Sequence, residues 1–249
     1  MKKNNIIKNF WDIHYKKWWE WNRWNKLSSD LRYIYELEYL KKYINKNDIK
    51  WNYLEVWIWN WKFFRKISKY FNKSIWIEIS DVAVEKNKKE FIGKSNIEIF
   101  KTSLLDLDIN KYNNYFDFVF IGWVLMFLNE NELRLASDIL YKITKEWWYI
   151  ICREPLTIWN KTIINKKEDY IDYIHTINFI KEVFGSNFII EKIEVNHIFW
   201  ISWLKILQKI KNNIFLLKIS IFFLIIISKI IKKFNPRITD NYFIILRKK

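Results

Sequence analysis

Short apolar runs alternate along the chain with segments whose apolar residues recur at helical spacing. The runs predict seven strands, at 53–56, 74–80, 97–100, 116–121, 149–152, 188–195 and 242–246. The helical segments are 31–44, 62–71, a helix capped by Ser80 and running to about Phe91, 130–145 and 174–184. Strands that alternate with helices in this way predict an α/β fold, a mostly parallel sheet with helices on both faces.

Composition narrows the class of protein. Apolar residues make up 51% and charged residues 28% of 249 residues, which excludes a disordered chain and a polytopic membrane protein. The single cysteine, Cys152, excludes a disulfide framework and a cysteine-built zinc site, and no metal site is predicted. One cysteine and no apolar signal segment in the first ten residues predict a reducing, cytoplasmic location.

The chain has far fewer glycines and far more tryptophans than an ordinary protein of its length. The chain has 3 Gly and 16 Trp, whereas a chain of this length usually carries roughly 17 glycines. Turns that need a positive φ accept glycine and reject bulky side chains, so a fold cannot replace most of its glycines with indoles. Because Ile, Lys and Asn dominate and have AT-rich codons, we hypothesise that many of these tryptophans stand for UGA codons read as glycine. A truly tryptophan-rich protein is the alternative.

The segment Leu54-Glu-Val-Trp-Ile-Trp-Asn-Trp61 lies where the first strand meets the next helix. With glycine at 57, 59 and 61, it reads as an acid followed by G-x-G-x-G and resembles the first motif of the class I S-adenosylmethionine-dependent methyltransferases. Glycine lets the backbone approach the cofactor closely, because any side chain would occupy the cofactor's volume. A nicotinamide-type fold would need its third glycine at position 62, which is lysine.

Other segments carry the same resemblance. Ser74–Ser80 is similar to the family's second strand, with Trp76 in a glycine position and Glu78 as the carboxylate for both ribose hydroxyls. Phe116–Leu125 and Lys145–Ile151 are similar to the fourth strand and to the turn before the fifth. The resemblance implies a Rossmann-like seven-stranded sheet and S-adenosylmethionine as cofactor. The cofactor-binding residues it implies are Glu55, Trp57, Trp59, Trp61, Glu78, Ile79, Ser103, Leu104 and Gly122.

Ser103 departs from the family, which often has an aspartate there to contact adenine; Asp106 follows three residues later. The catalytic residue is not defined by any motif, and the candidates are Tyr15, His175 and Glu154. Methyl transfer depends mainly on proximity and orientation, so a general base is optional. Arg153 and Glu154 follow the fifth strand, where either a substrate role or an exposed ion pair is expected.

The basic charge is concentrated in the C-terminal part of the chain, which we treat as a separate region. From His197 to Lys249 there are nine Lys, two Arg and one Asp, which makes this stretch +10 of the +16 total. We predict an N-terminal cap and helix at 1–50, a methyltransferase domain at 51–196 plus 239–249, and a basic, apolar helical insert at 197–238. Ile214–Ile231 is apolar but interrupted by Lys218 and Lys229. We consider three interpretations of this segment, from most to least favoured: a helical lobe over the active site, interfacial attachment to an anionic membrane, and a membrane crossing.

Two functions follow from these patterns. The first is S-adenosylmethionine-dependent methylation of a small molecule, a lipid or a glycan precursor, in the cytoplasm or at the inner face of the membrane. The second is a catalytically dead binding or scaffold protein, because literal indoles at 57, 59 and 61 would block the cofactor. Nucleic acid is not an expected partner, since Ile121-Gly122-Trp123-Val124 stands where base-methylating enzymes have D/N-P-P-Y. The sequence leaves open the methyl acceptor and the oligomeric state.

Overall fold

A computed structural model describes residues 12–13, 35–44, 51–56, 61–167, 170–196, 219, 222–223, 226 and 239–249. Its strands are β1 (Asn52–Val56), β2 (Lys73–Glu78), β3 (Ile97–Lys101), β4 (Phe116–Gly122), β5 (Thr144–Thr157), β6 (Ile163–Lys166), β7 (Ile171–Thr176), β8 (Phe188–Val195) and β9 (Thr239–Lys248). Its helices are α1 (Trp61–Ile67), α2 (Asp81–Glu90), α3 (Ile109–Tyr112), α4 (Glu130–Ile143) and α5 (Ile177–Gly185), with 3-10 turns at Ser68–Tyr70, Leu104–Asp106 and Leu125–Phe127. Residues 35–40 are helical too.

The sheet confirms the predicted fold class. Strands β1 to β5 are parallel, in the order β3-β2-β1-β4-β5. Strand β9 pairs antiparallel with β5, and β8 pairs antiparallel with β9, which extends the order to β5-β9-β8. The strand order reverses between β1 and β4, and ligands of open α/β sheets bind in the crevice at the carboxyl ends of the strands at such a point.

A hairpin that the sequence pattern did not predict branches from the end of β5. Strands β6 and β7 pair antiparallel with each other, and the last residues of β7 pair with the last residues of β5. The predicted helix at 174–184 is wrong over its first three residues, because these complete β7. Helix α5 begins after Thr176, whose hydroxyl accepts a hydrogen bond from the N–H of Phe179. The helix predicted at 130–145 ends two residues earlier, at Ile143, because β5 begins at Thr144.

Different side chains cover the two faces of the sheet. The aliphatic face packs against α4 and α5, and its strands contribute Leu54, Val56, Val119, Ile121, Ile150 and Ile244. The aromatic face packs against α1 and residues 35–44, and its strands contribute Tyr53, Trp76, Phe118, Phe120 and Phe243. Burial of both faces explains why the central strands are nearly continuous apolar runs.

Ser80 begins α2 as predicted: its side chain accepts a hydrogen bond from the N–H of Ala83. The predicted regions 1–50 and 197–238 lie mostly outside the described residues, so both remain predictions. Within the described part of the chain, no helix has the length and apolar character needed to cross a membrane.

Candidate functional site

The carboxyl ends of β1, β2 and β4 bring three predicted residues to one edge of the sheet. Glu55 is the penultimate residue of β1, Glu78 is the last residue of β2, and Gly122 is the last of β4. Glu55 lies level with Trp76 on β2 and with Phe120 on β4. Since side chains alternate along a strand, Glu55, Glu78 and position 122 all belong to the aromatic face.

Glu78 is a buried carboxylate fixed by the backbone that follows it. Its side chain accepts hydrogen bonds from the N–H groups of Ile79 at 2.8 Å and Ser80 at 2.9 Å, and only 1% of the residue is exposed. The carbonyl of Glu78 accepts from the N–H of Thr102 after β3. The orientation of this carboxylate is therefore set before any ligand arrives.

Glu55 is also buried, and its environment changes its protonation. Its carboxyl accepts a hydrogen bond of 2.5 Å from the hydroxyl of Tyr53. Burial raises the pKa of Glu55 to about 8, against the opposing effects of the Tyr53 hydroxyl and the charge of Arg153. At neutral pH this carboxyl is thus mostly protonated and can donate as well as accept.

The end of β4 has no room for a side chain at Gly122. A Cβ there would lie 2.9 Å from Nη2 of Arg153, which comes from the neighbouring strand β5. The next residue, Trp123, has a φ of 58° and donates its backbone N–H to the carbonyl of Arg153 at 2.9 Å. Its indole Nε1 donates to Oδ1 of Asn241 on β9 at 2.8 Å.

A buried ion pair that the sequence did not reveal stands beside this edge. Nη1 of Arg153 donates to Oε2 of Glu36 at 2.5 Å, and both side chains are almost fully buried. The amide of Asn196 donates to the other oxygen of Glu36. The exposed ion pair expected for Arg153 is therefore wrong, because its partner lies 117 positions away within the core.

Glu154 holds the chain that leaves β4. Its carboxylate accepts from the N–H groups of Val124 at 2.8 Å, Leu125 at 3.1 Å and Met126 at 3.3 Å. Burial raises the pKa of Glu154 to about 8, and these three hydrogen bonds oppose that rise. The structure thus gives this catalytic candidate a positioning role for the turn Leu125–Phe127.

Two residues of the loop after β3, Ser103 and Asp106, hydrogen-bond to each other. Ser103 donates its hydroxyl to Oδ2 of Asp106 at 2.6 Å and accepts from the N–H of Asp106. Leu104 is buried in the aliphatic core. Ser103 therefore holds the carboxylate of Asp106, the last residue of the 3-10 turn that follows β3.

An apolar cluster follows the ends of β2 and β4. Phe127 is its buried centre, and Ile79, Trp123, Met126 and Tyr170 are among the partly buried side chains against it. The rings of Phe127 and Tyr170 are 5.9 Å apart. Apolar surface therefore adjoins the carboxylates of the candidate site.

His175 lies on β7 next to the same turn. Its Nε2 lies 2.9 Å from the carbonyl of Leu128, and because a carbonyl only accepts, Nε2 carries the proton in the neutral ring. Nδ1 is buried without a hydrogen-bond partner, and burial lowers the pKa of His175. Its ring is therefore held in the neutral form beside the apolar cluster.

For four predicted site residues, no side-chain contact is described. Tyr15, Trp57 and Trp59 are outside the described residues, and Trp61 is described only as the first residue of α1. The segment before them contributes Asp12, which accepts a 2.5 Å hydrogen bond from the hydroxyl of Ser80. The sequence analysis missed Glu36, Asn241 and Asp12; a charged residue among the apolar positions of 31–44 was the one signal available for Glu36.

Comparison with known proteins identifies the class of fold. No model of a known protein family matches the chain, and no curated protein matches its sequence. Among solved structures, a putative S-adenosylmethionine-dependent methyltransferase from Listeria monocytogenes aligns with a TM-score of 0.60 at 10% identity, covering 86% of this chain and 98% of its own. The structure of an S-adenosylmethionine-dependent methyltransferase from Mesorhizobium loti aligns with a TM-score of 0.58 at 9% identity, covering 86% and 97%. The chain therefore has the Rossmann-like fold of class I methyltransferases.

Two further structures show how widely this fold is used. Geranyl diphosphate C-methyltransferase from Streptomyces coelicolor A3(2), solved with geranyl diphosphate and S-adenosyl-L-homocysteine, aligns with a TM-score of 0.60 at 8% identity and covers 86% of this chain and 78% of its own. The [4+2]-cyclase SpnF aligns with a TM-score of 0.57 at 12% identity, covering 90% and 81%. The fold thus occurs in proteins named for different reactions, and function has to be argued from the site.

Proposed function

We propose that the protein transfers a methyl group from S-adenosylmethionine to a small molecule, a lipid or a glycan precursor. The observation that carries this proposal is Glu78, a buried carboxylate oriented by two backbone N–H groups at the carboxyl end of β2. Two neighbouring hydroxyls of a ribose match the two acceptor oxygens of one carboxylate. Gly122 ends β4 at the same edge, and its lack of a side chain leaves space for the guanidinium of Arg153.

When bound, S-adenosylmethionine would supply an electrophilic methyl group carried on a sulfonium. The described residues would bind and orient the two reactants. Glu78 would hold the ribose, Ser103 or the backbone of Leu104 would contact the adenine, and Glu154 would keep the turn after β4 in place. Orientation of this kind supplies most of the rate enhancement in such displacements.

The apolar cluster around Phe127 favours an acceptor with an apolar part. Its residues Ile79 and Met126 follow the ends of β2 and β4, and Tyr170 precedes β7. Apolar walls with a few polar groups are typical of sites for small organic ligands. The structural similarity to a methyltransferase named for geranyl diphosphate supports this choice.

The alternative is a binding or scaffold protein of the same fold. It requires that Trp57, Trp59 and Trp61 are literal tryptophans, since indoles in that loop would fill the space that the cofactor needs. The similarity to the [4+2]-cyclase SpnF adds that a related fold can serve a different reaction.

Binding of S-adenosylmethionine to the protein purified from its own cells tests the proposal. We expect saturable binding by calorimetry, and Glu78→Ala, expressed in the same cells, should weaken it about 10- to 100-fold through the loss of charge-assisted hydrogen bonds. Glu98→Ala is the matched control, because Glu98 lies on the adjacent strand and pairs with Lys73. Absence of binding, or equal affinity for both variants, would contradict the assigned site.

A labelled methyl donor tests the acceptor class. Incubation of the protein with methyl-labelled S-adenosylmethionine and an extract of the same cells should place label in the organic phase. Label found only in water-soluble products would exclude an acceptor with a large apolar part.

We also propose that the C-terminal insert attaches the protein to the anionic inner face of the membrane. The described residues of the insert, Ile219, Phe222, Phe223 and Ile226, are 37%, 61%, 58% and 38% exposed. Their spacing puts them on one face of a helix, within a stretch that carries +10. An exposed apolar helix face with surrounding lysines is typical of interfacial membrane binding, and each basic residue near an anionic surface adds about 1 kcal/mol.

Vesicle flotation tests the attachment. The full chain should float with phosphatidylglycerol vesicles at low salt and be released at high salt, because salt screens charges beyond about 10 Å at 0.1 M. Phe222→Glu with Phe223→Glu should abolish flotation, whereas Ile92→Glu, at an apolar residue after α2 that is even more exposed, should not. Failure of the unmodified chain to float at low salt would favour a lobe that covers the active site instead.

A further inference from the structure

The backbone conformation at two tryptophans conflicts with their side chains. Among the described residues other than glycine, a positive φ occurs at Asn114, Trp123 and Trp147, with values of 47°, 58° and 67°. Asparagine tolerates this left-handed region, but a bulky side chain places its Cβ against the following carbonyl. Glycine adopts the same region freely, as Gly93 does here with a φ of 79°.

We infer that positions 76, 123 and 147 are glycine in the protein that the cell makes, through UGA codons read as glycine. The inference concerns the chemical identity of the chain and stands whether or not the protein transfers methyl groups. Three separate observations carry it, one for each position.

At position 123, the hydrogen bonds between β4 and β5 fix the backbone conformation. The N–H of Trp123 donates to the carbonyl of Arg153 directly after the β4–β5 ladder. The left-handed turn then aims the next three N–H groups at Glu154. These backbone bonds fix the conformation, so a residue with a Cβ at position 123 carries the strain of the left-handed turn, and the indole's hydrogen bond to Asn241 is made from that strained backbone.

At position 147, the sheet contains a bulge. Phe116 pairs with Thr144 and Phe118 with Tyr149, so β5 has three more residues than β4 over this interval. The salt bridge from Lys145 to Asp117, 2.7 Å long, anchors the extra residues. Trp147 takes the left-handed conformation that closes such bulges and usually requires glycine, while 61% of the residue is exposed to solvent.

At position 76, the side chain is buried but not satisfied. Trp76 lies in the middle of β2 with no exposed surface, and its indole Nε1 has no hydrogen-bond partner. Buried tryptophans usually find an acceptor for this N–H. Glycine at this position removes the unpaired donor from the core next to Phe64.

The codons and the mass of the native protein test the inference directly. We expect UGA at 76, 123 and 147, and peptides from protein purified out of its own cells should have the masses of glycine at these positions. Tryptophans encoded by UGG in the same gene are the internal control and must give tryptophan peptides. UGG codons at these positions, or tryptophan in the native peptides, would overturn the inference. Neither readout depends on cofactor binding, so a failed methyltransferase assay leaves the result intact.

Thermal unfolding of recoded chains gives a second measurement. In a full-length chain expressed with tryptophan at every such position, Trp147→Gly should raise the Tm by a few degrees because it relieves the left-handed backbone. Trp159→Gly is the matched control, since Trp159 is also exposed, at 53%, but is not among the residues with positive φ. A Trp147→Gly variant that unfolds at a lower temperature than its parent would contradict the inference at that position.

Discussion

The guanidinium of Arg153 and the carboxylate of Glu36 form a 2.5 Å contact inside the protein, with side-chain exposures of 5% and 0%. The pair joins the helical segment 35–40 to β5 at the level of Gly122, next to the candidate site. The ring of Phe120 lies under the guanidinium at 5.8 Å. The helical segment 35–40 is thereby fixed next to the end of β4.

Breaking this pair from one side should destabilise the fold strongly. Glu36→Ala leaves a buried, unpaired guanidinium, and we expect a loss of about 3–5 kcal/mol in the free energy of unfolding. Replacing both residues, Glu36→Leu with Arg153→Met, should recover a large part of that loss. Denaturant unfolding measures both variants.

The exposed pair of Arg134 and Glu182 provides the control for this comparison. Its side chains are 50% and 61% exposed, so Arg134→Ala should cost less than about 1 kcal/mol. A buried pair that costs no more than this exposed one would show that Glu36 and Arg153 are not coupled in solution.

Stability should fall as the pH rises from about 5 to 8. The raised pKa of Glu55, about 8, means that the folded protein keeps a proton that the unfolded chain loses above pH 4.5. The stabilising contribution is complete below pH 4.5 and is lost as the pH approaches 8, by an amount on the order of a few kcal/mol. Glu154 adds to the same trend, because its pKa is also raised to about 8.

The variant Glu55→Gln should reduce this slope, since an amide does not titrate, and it should preserve the hydrogen bond from Tyr53. Glu182→Gln, at an exposed carboxylate, should leave the slope as it is. Urea unfolding at pH 5, 6, 7 and 8 gives the comparison; an unchanged slope in Glu55→Gln would mean that this carboxyl is ionised in the folded protein.

Glu154→Ala should loosen the turn after β4. Three backbone N–H groups lose their acceptor, and each buried donor left unpaired costs about 1–3 kcal/mol. Amide hydrogen exchange at Val124, Leu125 and Met126 should accelerate at least about 10-fold, while exchange in α4 stays unchanged. Glu85→Ala on α2 serves as a control, and equal protection in Glu154→Ala and the parent would remove the positioning role from Glu154.

The central sheet was predictable because its strands are buried on both faces. An apolar run such as Phe116–Ile121, followed directly by a turn at Gly122, can only be read as a buried strand. Ser80 marks the start of α2 because its side chain caps the helix. The hairpin of β6 and β7 escaped prediction because its half-exposed residues show neither a clean alternation nor an apolar run. The helical spacing of 174–184 continued across the boundary at Thr176, and only strand pairing separates the two elements.

The site was predictable only where a local motif exists. Glu55, Glu78 and Gly122 follow from strand ends, and all three lie at one edge of the sheet. Partners brought together by tertiary folding had no such signal: Glu36 lies 117 positions from Arg153 and 160 positions from Asn196. Contacts across such distances depend on the whole topology, which no spacing rule encodes.

The position of β9 has a consequence for the growing polypeptide. Among the described strands, β8 joins the sheet only through β9. During synthesis, β8 leaves the ribosome before β9, the strand with which it pairs, has been made. The edge of β5 that pairs with β9 is unpaired over the same interval. Unpaired edges of this kind invite pairing with other chains. A ribosome that terminates before codon 239 would therefore release an aggregation-prone fragment, and the cell would have to clear it with chaperones and proteases.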